Sequence, residues 1–285
     1  MRFKKIYIEI SDICGLKCDF CNTTKGVRGE MPLALFKIAT NEAKKYTNLI
    51  TLHILGDPLK MKNINSYLKI AKDANLKVEI TTSGVYLSDF SIFKEPIKQV
   101  NISLDALNLL PNRNIFLQRV FRLCEFKLEN NLDFFINLRI QNRDKNGEIL
   151  EIIKRRFNLS QDIKLDFTQK RIRLAKKIIL DLREIFFWQN DNKMQDSNKF
   201  LDTIHNTCHG TCYGLRSHIG ILSNGDIVPC CIDVNGNLTL GNIQIDSIKN
   251  ILESHKTKAM IEGFRNNLII KDFCKNCDYR NRFSL

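Results

Sequence analysis

Cysteine placement is the feature that most restricts how this 285-residue chain can fold. Nine of its ten cysteines fall in two groups near the ends of the chain. The groups are Cys14, Cys18 and Cys21, and then Cys208, Cys212, Cys230, Cys231, Cys274 and Cys277. The first residues do not form an export signal, so we expect a cytoplasmic protein. Because the cytosol keeps thiols reduced, the two groups predict metal or redox chemistry instead of structural disulfides.

Composition narrows the class of protein further. A hydrophobic content of 44% can fill the core of one large domain with or without a small appendage. No stretch approaches the roughly 18 consecutive apolar residues of a membrane span, so no membrane partner is expected. The net charge of +13 suggests nucleic acid, but the lysines are spread along the chain. The densest basic stretch, residues 170–177, is interpreted first as a solvated face and second as a polyanion contact.

Strand-like and helical segments alternate through the first two thirds of the chain. Predicted strands cover residues 5–10, 50–55, 78–82, 100–104, 134–140 and 163–168. Predicted helices cover residues 33–46, 64–74, 116–129 and 148–157. This alternation predicts an α/β fold in which about six βαβ units form a partial (β/α)6 TIM-like barrel. In such a barrel the functional residues lie at the carboxyl ends of the strands.

The character of the sequence changes near residue 200, where short strands, glycines and cysteines begin. We therefore predict a barrel domain over residues 1–200 and a small cysteine-rich domain over residues 201–285. Residues 169–199 are interpreted as a connector of uncertain structure. In the second domain, Asn224 and Gly225 separate two short strand-like runs and predict a hairpin.

The first cysteine group has spacings of three and two residues on a loop after the first predicted strand. A four-iron cluster with only three thiolate ligands retains one open iron, which can bind a substrate or cofactor. The alternatives are a structural zinc site and a catalytic thiol. Zinc would need a fourth Cys or His, which this loop does not supply.

The spacing of these three cysteines, with Phe20 before the last of them, resembles the radical S-adenosylmethionine (radical SAM) superfamily. The resemblance implies that the open iron of a 4Fe-4S cluster binds S-adenosylmethionine. One electron from the reduced cluster then cleaves this cofactor to methionine and a 5′-deoxyadenosyl radical, which abstracts hydrogen from a substrate. A flavodoxin or ferredoxin-type protein is the implied electron donor.

Other strand ends resemble the same family. The turn Leu55-Gly56-Asp57-Pro58 is similar to the family's Gly-Gly-Glu-Pro motif, with Leu55 and Asp57 as departures. Residues 81–84 are similar to its Thr-Asn-Gly strand end. The resemblance implies that the cofactor contacts are Phe20, Gly56, Asp57, Ser83, Ser103, Asp105, Asn137 and Arg139. A plain turn at residues 55–58, and packing or salt bridges for the last four residues, are the alternatives.

The second cysteine group, with its hairpin and final cysteine pair, resembles the SPASM or twitch extension of radical SAM enzymes. The resemblance implies one auxiliary 4Fe-4S cluster, since few residues follow the final pair. Its predicted ligands are Cys212, Cys230, Cys274 and Cys277. Cys208 is an alternative to Cys212, and zinc is an alternative metal, because four thiolates suit either. Cys231 is expected to point away, because adjacent residues of a strand face opposite sides.

These features together predict a radical SAM enzyme that modifies a peptide or protein side chain. Modification of RNA or of a small metabolite is the first alternative, and the basic charge gives nucleic acid only weak support. A non-catalytic iron-sulfur electron carrier is a remote alternative, because a carrier needs neither an open iron nor polar strand ends around it.

Overall fold

The computed structural model describes residues 2–18, 21, 26–141, 147–160, 163, 170–184 and 208–283. Ten strands are described: β1 (Ile6–Ile8), β2 (Leu49–Thr51), β3 (Lys77–Thr82), β4 (Ile97–Ser103), β5 (Phe135–Ile140), β6 (Arg171–Ala175), β7 (Ile178–Leu182), β8 (Gly220–Ile221), β9 (Asp226–Val228) and β10 (Gly241–Asn242). The α-helices are α1 (Leu33–Ala43), α2 (Ile64–Asp73), α3 (Arg113–Glu129), α4 (Gly147–Arg156), α5 (Ile248–Glu253), α6 (His255–Arg265) and α7 (Asp272–Lys275).

All ten strands belong to one sheet, in the order β10-β9-β8-β1-β2-β3-β4-β5-β7-β6. Strands β1 to β5 and β7 run parallel to one another. Six parallel strands with helices between them confirm the partial barrel. The third crossover differs from the others, because residues 83–96, which join β3 to β4, contain a short 3₁₀ helix (Phe90–Ile92) and no α-helix.

The two faces of the parallel strands differ in chemistry. Even-numbered residues such as Ile8, Ile80 and Ile136 are fully buried and belong to one core with helical residues such as Phe36 and Leu123. Odd-numbered residues of the same strands point to the opposite side, because side chains alternate along a strand. We call this helix-free side of the parallel strands and β6 the inner face.

The sixth parallel strand lies later in the chain than predicted. The predicted strand at residues 163–168 is outside the described residues except for Ile163, which is not in a strand. The sixth parallel strand is instead β7, and it forms an antiparallel hairpin with β6. Both strands fall in the segment interpreted as a connector. Its high content of basic residues concealed a polar–apolar alternation that begins at Arg171 and is typical of a strand.

The C-terminal part continues the sheet of the barrel. The predicted hairpin is present as β8 and β9, and Gly225 in its turn adopts a φ of +91° that favours glycine. Strand β8 pairs in parallel with β1, so the hairpin lies directly beside the first barrel strand. Residues 185–207 are outside the described residues, and the division at residue 200 stays a prediction. No helix within the described ranges is both long and apolar enough to cross a membrane.

Candidate functional site

The loop that carries the first cysteine group begins just after β1 and is closed by Asp12. The Asp12 carboxylate accepts hydrogen bonds from the backbone N–H groups of Arg28 and Gly29, each over 2.9 Å. The Arg28 guanidinium also forms a salt bridge of 2.8 Å with Glu9. Both ends of the loop are therefore attached to the carboxyl end of β1.

Glu9 is fully buried and connects three segments of the chain. One carboxylate oxygen accepts a hydrogen bond of 3.1 Å from the N–H of Leu55, in the turn after β2. The other accepts bonds from Arg28 and, over 3.2 Å, from the N–H of Ser223 in the C-terminal hairpin. Burial raises the pKa of Glu9, and Arg28 opposes that shift. The cysteine loop, the turn after β2 and the hairpin thus share one anchor.

The three thiols of the loop are half-buried, and none of them is in a disulfide. The N–H of Cys21 donates to the carbonyl of Cys18 over 3.1 Å, and the carbonyl of Cys14 accepts a bond of 3.1 Å from the Tyr86 hydroxyl. A Cβ at Gly15 would lie 2.4 Å from that hydroxyl oxygen, and its φ of +89° also favours glycine. Residues on the loop after β3 therefore fix the path of the cysteine loop.

Gly56 permits direct contact between the turn after β2 and the cysteine loop. A Cβ at this position would lie 2.0 Å from the carbonyl oxygen of Ser11 and 2.9 Å from the backbone nitrogen of Ile13. The N–H of Asp57 also donates to the carbonyl of Ile13 over 3.1 Å. Any larger residue at position 56 would push these two backbones apart.

Asp57 is buried, and its carboxylate is occupied by protein donors. It accepts hydrogen bonds of 2.6 Å from the Ser83 hydroxyl, 2.8 Å from the Ser83 N–H, 3.0 Å from the Thr82 hydroxyl and 3.0 Å from the Leu59 N–H. Burial raises the pKa of Asp57, and the bonds from Ser83 act in the opposite direction. Asp57 therefore links the turn after β2 to the end of β3 and positions Ser83. Its own contact with a cofactor stays a prediction.

The remaining predicted cofactor residues lie at the carboxyl ends of β4 and β5. Ser103 and Arg139 pair in register, as do Asn101 and Asn137 one layer deeper. Asp105 is not on the same strand as Ser103, because β4 ends at Ser103 and Asp105 belongs to a 3₁₀ helix (Leu104–Leu109). The Asp105 carboxylate accepts a bond of 3.0 Å from the N–H of residue 141. Phe20 lies outside the described residues.

Two buried polar atoms on the inner face of β5 have no hydrogen-bond partner in the described part of the chain. They are Oδ1 of Asn137 and Nε of Arg139. Arg139 lies 3.6 Å from Asp181 and donates a bond of 3.4 Å to the Thr81 hydroxyl. Burial, followed by the charge of Arg183, lowers the pKa of Arg139 to about 10. An unused acceptor and an unused donor next to each other are suited to a polar ligand.

The four cysteines predicted to hold the auxiliary cluster affect one another electrostatically. Burial, followed by repulsion from Cys212 and Cys277, raises the pKa of Cys274 to about 12. Burial, with repulsion from Cys212, raises the pKa of Cys277 to about 11. Burial also raises the pKa of Cys230, together with its neighbours Cys231, Cys212 and Cys277. Three separate segments therefore bring these thiols together.

Arg280 stabilises the segment that contains Cys274 and Cys277. Its buried guanidinium donates hydrogen bonds to the carbonyls of Cys274 over 3.0 Å, His209 over 3.1 Å and Lys275 over 3.2 Å. The same positive charge lowers the pKa of Cys212, Cys274 and Cys277, although burial outweighs it in each. A cationic side chain thus lies beside the thiols.

The other two C-terminal cysteines have different surroundings. Cys208 is exposed. The Cys231 thiol hydrogen-bonds with Tyr7 of β1 and lies in a small apolar cluster that includes Ile54 and Leu55. Cys231 therefore belongs to the contact between the hairpin and the barrel.

Within the described residues, no three Cys, His, Asp or Glu side chains come together as ligands of a single metal ion. A four-iron cluster binds each of its thiolates at a different iron, so it does not require that arrangement. The donor sets fit such clusters. One is three half-buried thiols on a closed loop, and the other is Cys212 with three thiols whose pKa values it raises.

Comparison with a family model assigns the C-terminal part. The SPASM model, an iron-sulfur cluster-binding domain, matches residues 212–278. The match begins at Cys212 and includes Cys230, Cys274 and Cys277, while Cys208 lies before it.

Solved structures share the fold of nearly the whole chain. SuiB of Streptococcus suis, bound to the precursor peptide SuiA, aligns with a TM-score of 0.62 and 17% identity over 97% of this chain and 71% of its own. The protein anSMEcpe, with bound AdoMet and a peptide, aligns with a TM-score of 0.59 and 16% identity over 96% and 86%. BtrN, in complex with AdoMet and 2-DOIA, aligns with a TM-score of 0.54 and 17% identity over 98% and 94%.

Nearly the whole chain therefore has the fold of these solved structures, and its C-terminal part matches the SPASM iron-sulfur cluster-binding domain. Proteins that are similar in sequence match a shorter region of this chain. GTP 3′,8-cyclase of Moorella thermoacetica is 35% identical over 109 residues, which are 35% of this chain and 34% of the relative. The same enzyme of Thermodesulfovibrio yellowstonii is 30% identical over 112 residues, 35% and 34% of the two chains. The chain therefore spans about a third of the length of these curated relatives.

Sequence reasoning missed the residues that hold the candidate site together. Glu9, Asp12, Arg28 and Arg280 were not among the predicted site residues, yet they anchor the two cysteine groups. Glu9 and Asp12 offered one signal, because acidic residues at the end of a barrel strand lie at its functional edge. Arg28 and Arg280 offered none, since isolated arginines are common in a basic chain.

Proposed function

We propose that this protein is a radical SAM enzyme that abstracts hydrogen from a peptide or protein side chain. The observation that carries the proposal is the meeting of three predicted cofactor segments at the carboxyl edge of the barrel. The cysteine loop contacts Gly56 backbone to backbone, and Asp57 holds Ser83 beside them. This arrangement supports one site built from β1, β2 and β3.

The proposed ligands of the N-terminal 4Fe-4S cluster are Cys14, Cys18 and Cys21. The proposed ligands of the auxiliary 4Fe-4S cluster are Cys212, Cys230, Cys274 and Cys277. When bound, the N-terminal cluster and S-adenosylmethionine supply a 5′-deoxyadenosyl radical that abstracts a hydrogen atom. A flavodoxin or ferredoxin-type protein is the proposed electron donor. The reducing cytoplasm is the proposed location, because two clustered cysteine groups suit metal binding where thiols are kept reduced.

The chain's own residues provide position and polar contacts for this chemistry. The unpartnered atoms of Asn137 and Arg139 fit the carboxylate and hydroxyl groups of S-adenosylmethionine, since one accepts and the other donates a hydrogen bond. Ser83, held by Asp57, presents its hydroxyl group at the neighbouring strand end. The predicted contacts of Gly56, Ser103, Asp105 and Phe20 remain part of the proposal.

Two of the structural neighbours support a peptide or protein substrate. SuiB was solved with a precursor peptide, and anSMEcpe with a peptide, and both align with the full barrel and SPASM domain of this chain. A small-molecule substrate is the second candidate. It is supported by the GTP 3′,8-cyclase relatives, which match 35% of this chain.

The test is anaerobic reconstitution with iron, sulfide, dithionite and S-adenosylmethionine, followed by measurement of 5′-deoxyadenosine. We expect the parent protein to form it and Cys18→Ala to reduce its formation at least about a hundredfold, because two thiolates hold the cluster poorly. Cys208→Ala is the matched control, since it removes an exposed thiol outside both proposed ligand sets. Equal product from the Cys18→Ala variant and the parent would disprove the mechanism.

Iron content tests the two-cluster proposal separately. The parent should bind about eight irons per chain, because each cubane holds four. About four irons together with zinc would contradict the auxiliary 4Fe-4S assignment and would favour zinc at the four thiolates.

A further inference from the structure

A basic groove lies at the lateral end of the inner face. It is a cavity of about 510 Å³ lined by Phe135, Arg171, Arg173, Lys176, Lys177 and Ile179. Four of these six residues are cationic, and no acidic side chain of the described part of the chain lines the groove. We use the name basic groove for these six residues.

Strand register places the groove on the same side of the sheet as the proposed cofactor site. Arg171 pairs with Asp181 and Arg173 pairs with Ile179, so these side chains share one face. Asp181 also pairs with Arg139, whose Nε lies 3.6 Å from the Asp181 carboxylate and forms no hydrogen bond within the described residues. The inner face therefore continues from the end of β5, across β7, to the two arginines of β6.

Positive charge exceeds negative charge on the inner face of β6 and β7. Asp181 is the acidic side chain nearest to the arginines in register, but it already lies 2.7 Å from Arg183 and 3.6 Å from Arg139. Arg171 and Arg173 are exposed, and neither forms a salt bridge with any described residue. An incoming carboxylate could pair with them without displacing an existing partner.

We propose that the basic groove binds an acidic segment of the peptide or protein substrate while the radical chemistry occurs at the strand ends. This inference rests on the proposed function and specifies its substrate class. Arg171 and Arg173 are two residues apart on a strand, which places their side chains on one face about 7 Å apart. An extended peptide repeats its side chains at the same interval. Acidic residues at alternate positions would therefore meet both arginines.

The composition of the groove favours a peptide over RNA. Proteins that bind single-stranded RNA stack its bases on exposed aromatic rings. The groove contains a single ring, Phe135, and the ammonium group of Lys177 lies 5.2 Å from the centre of that ring. Lys177 is itself paired with Asp133, and Lys176 donates a hydrogen bond to Asn131. Arg171 and Arg173 are left as the available cations.

The test measures binding of short fluorescein-labelled peptides to the anaerobically reconstituted full chain by fluorescence anisotropy. One probe alternates glutamate with serine, a second alternates lysine with serine, and a third is an oligouridylate. The double variant Arg171→Gln/Arg173→Gln should weaken binding of the glutamate peptide about tenfold, because it removes two charge-assisted contacts. Arg119→Gln/Arg122→Gln is the matched control, since it removes the same charge from the exposed side of α3.

The inference holds if the parent prefers the glutamate peptide to the lysine peptide and only the groove variant loses that preference. Equal binding by the groove variant and the parent would overturn it. Tighter binding of the oligouridylate than of the glutamate peptide, with the same loss in the groove variant, would also overturn it in favour of a phosphate-binding surface. Formation of 5′-deoxyadenosine without added substrate should be equal in all three proteins. Its absence from the parent would contradict the proposed function and leave the peptide result standing.

Discussion

The two cysteine sites differ in how the chain assembles and supports them. Cys14, Cys18 and Cys21 come from one short loop, and residues outside that loop, such as Glu9 and Gly56, hold it in place. The four C-terminal cysteines come from three segments, and Arg280, which is close to the last of them in sequence, supports the segment of Cys274. The contiguous cysteine motif is thus held in place by residues outside its loop. The dispersed C-terminal cysteines are instead supported by a residue that is near the last of them in sequence.

Burial of the thiols is similar at the two sites. Cys274 is buried, and Cys212, Cys230 and Cys277 are half-buried like the thiols of the loop. Burial raises the pKa of Cys274 to about 12 and that of Cys277 to about 11. The proposed sites differ instead in the number of thiolates, because three leave one iron open to a cofactor and four close the cluster. Changes to the support of each site should therefore affect the two clusters independently.

The largest expected effect comes from the anchor of the loop. Glu9→Gln removes the buried carboxylate that pairs with Arg28, and the unfolding free energy should fall by about 3 kcal/mol, because the Arg28 cation keeps only the more distant Asp12 carboxylate, at 4.0 Å, as its ion-pair partner. Iron should be lost from the N-terminal cluster first. The measurements are anaerobic urea unfolding and iron content.

The surface salt bridge between Glu95 and Lys77 provides the control for this variant. Glu95→Gln should change stability and iron content little, since exposed ion pairs contribute little. Comparable losses in the two variants would mean that Glu9 is not a special anchor.

Gly56→Ala should have the second largest effect. Its Cβ would lie 2.0 Å from the carbonyl oxygen of Ser11, so the two backbones must separate at a cost of about 2 kcal/mol. The variant should lose 5′-deoxyadenosine formation and retain the auxiliary cluster, as measured by electron paramagnetic resonance. Gly147→Ala is the control, because a Cβ there meets nothing within 4 Å. An active Gly56→Ala variant would show that the loop tolerates this displacement.

Arg280→Gln tests the support of the C-terminal cysteines. The variant loses three hydrogen bonds from a charged donor to the carbonyls of Cys274, His209 and Lys275, and stability should fall by about 2 kcal/mol. Iron should fall from about eight to about four per chain, because only the auxiliary cubane is released. Arg265→Gln removes an exposed arginine as the control. Loss of both clusters together would show that the sites are not independent.

Much of the fold could be predicted because its signals are local. Hydrophobic periodicity located five of the six parallel strands, and the Asn224-Gly225 pair located the hairpin. The sixth strand, β7, was missed because a basic, short hairpin resembles a solvated linker. Parallel pairing of β8 with β1 could not be predicted, since long-range pairing leaves no spacing signal.

The candidate site could be predicted to about the same extent as the fold. The cysteine triad and the strand-end motifs are contiguous in sequence and were visible as patterns. The contacts that organise them join residues far apart in the chain, such as Glu9 with Ser223 and Asp57 with Ser83. Asp57 illustrates the limit, because its resemblance to a family motif gave its place in the turn but not its four protein partners.

The smallest predicted effect concerns His218, which joins the two regions by packing edge-on against Tyr7 of β1 at 5.5 Å. Burial, with the nearby charge of Lys5, lowers the pKa of His218 to about 4. The unfolded chain, with an ordinary histidine pKa of about 6.5, therefore takes up the proton first as the pH falls. The stability contributed by neutral His218 is complete above about pH 6.5 and is lost progressively towards about pH 4.

Between pH 6.5 and 5.5, the parent should thus lose about 1 kcal/mol of unfolding free energy that His218→Asn does not lose. Anaerobic urea unfolding of both proteins at the two pH values measures this difference and cancels the contributions of the other titrating groups. His255→Asn, at an exposed position, should behave like the parent. Parallel pH dependence in the parent and the His218→Asn variant would mean that His218 is accessible to protons in the folded state, and that the contact between the hairpin and the barrel is open to water there.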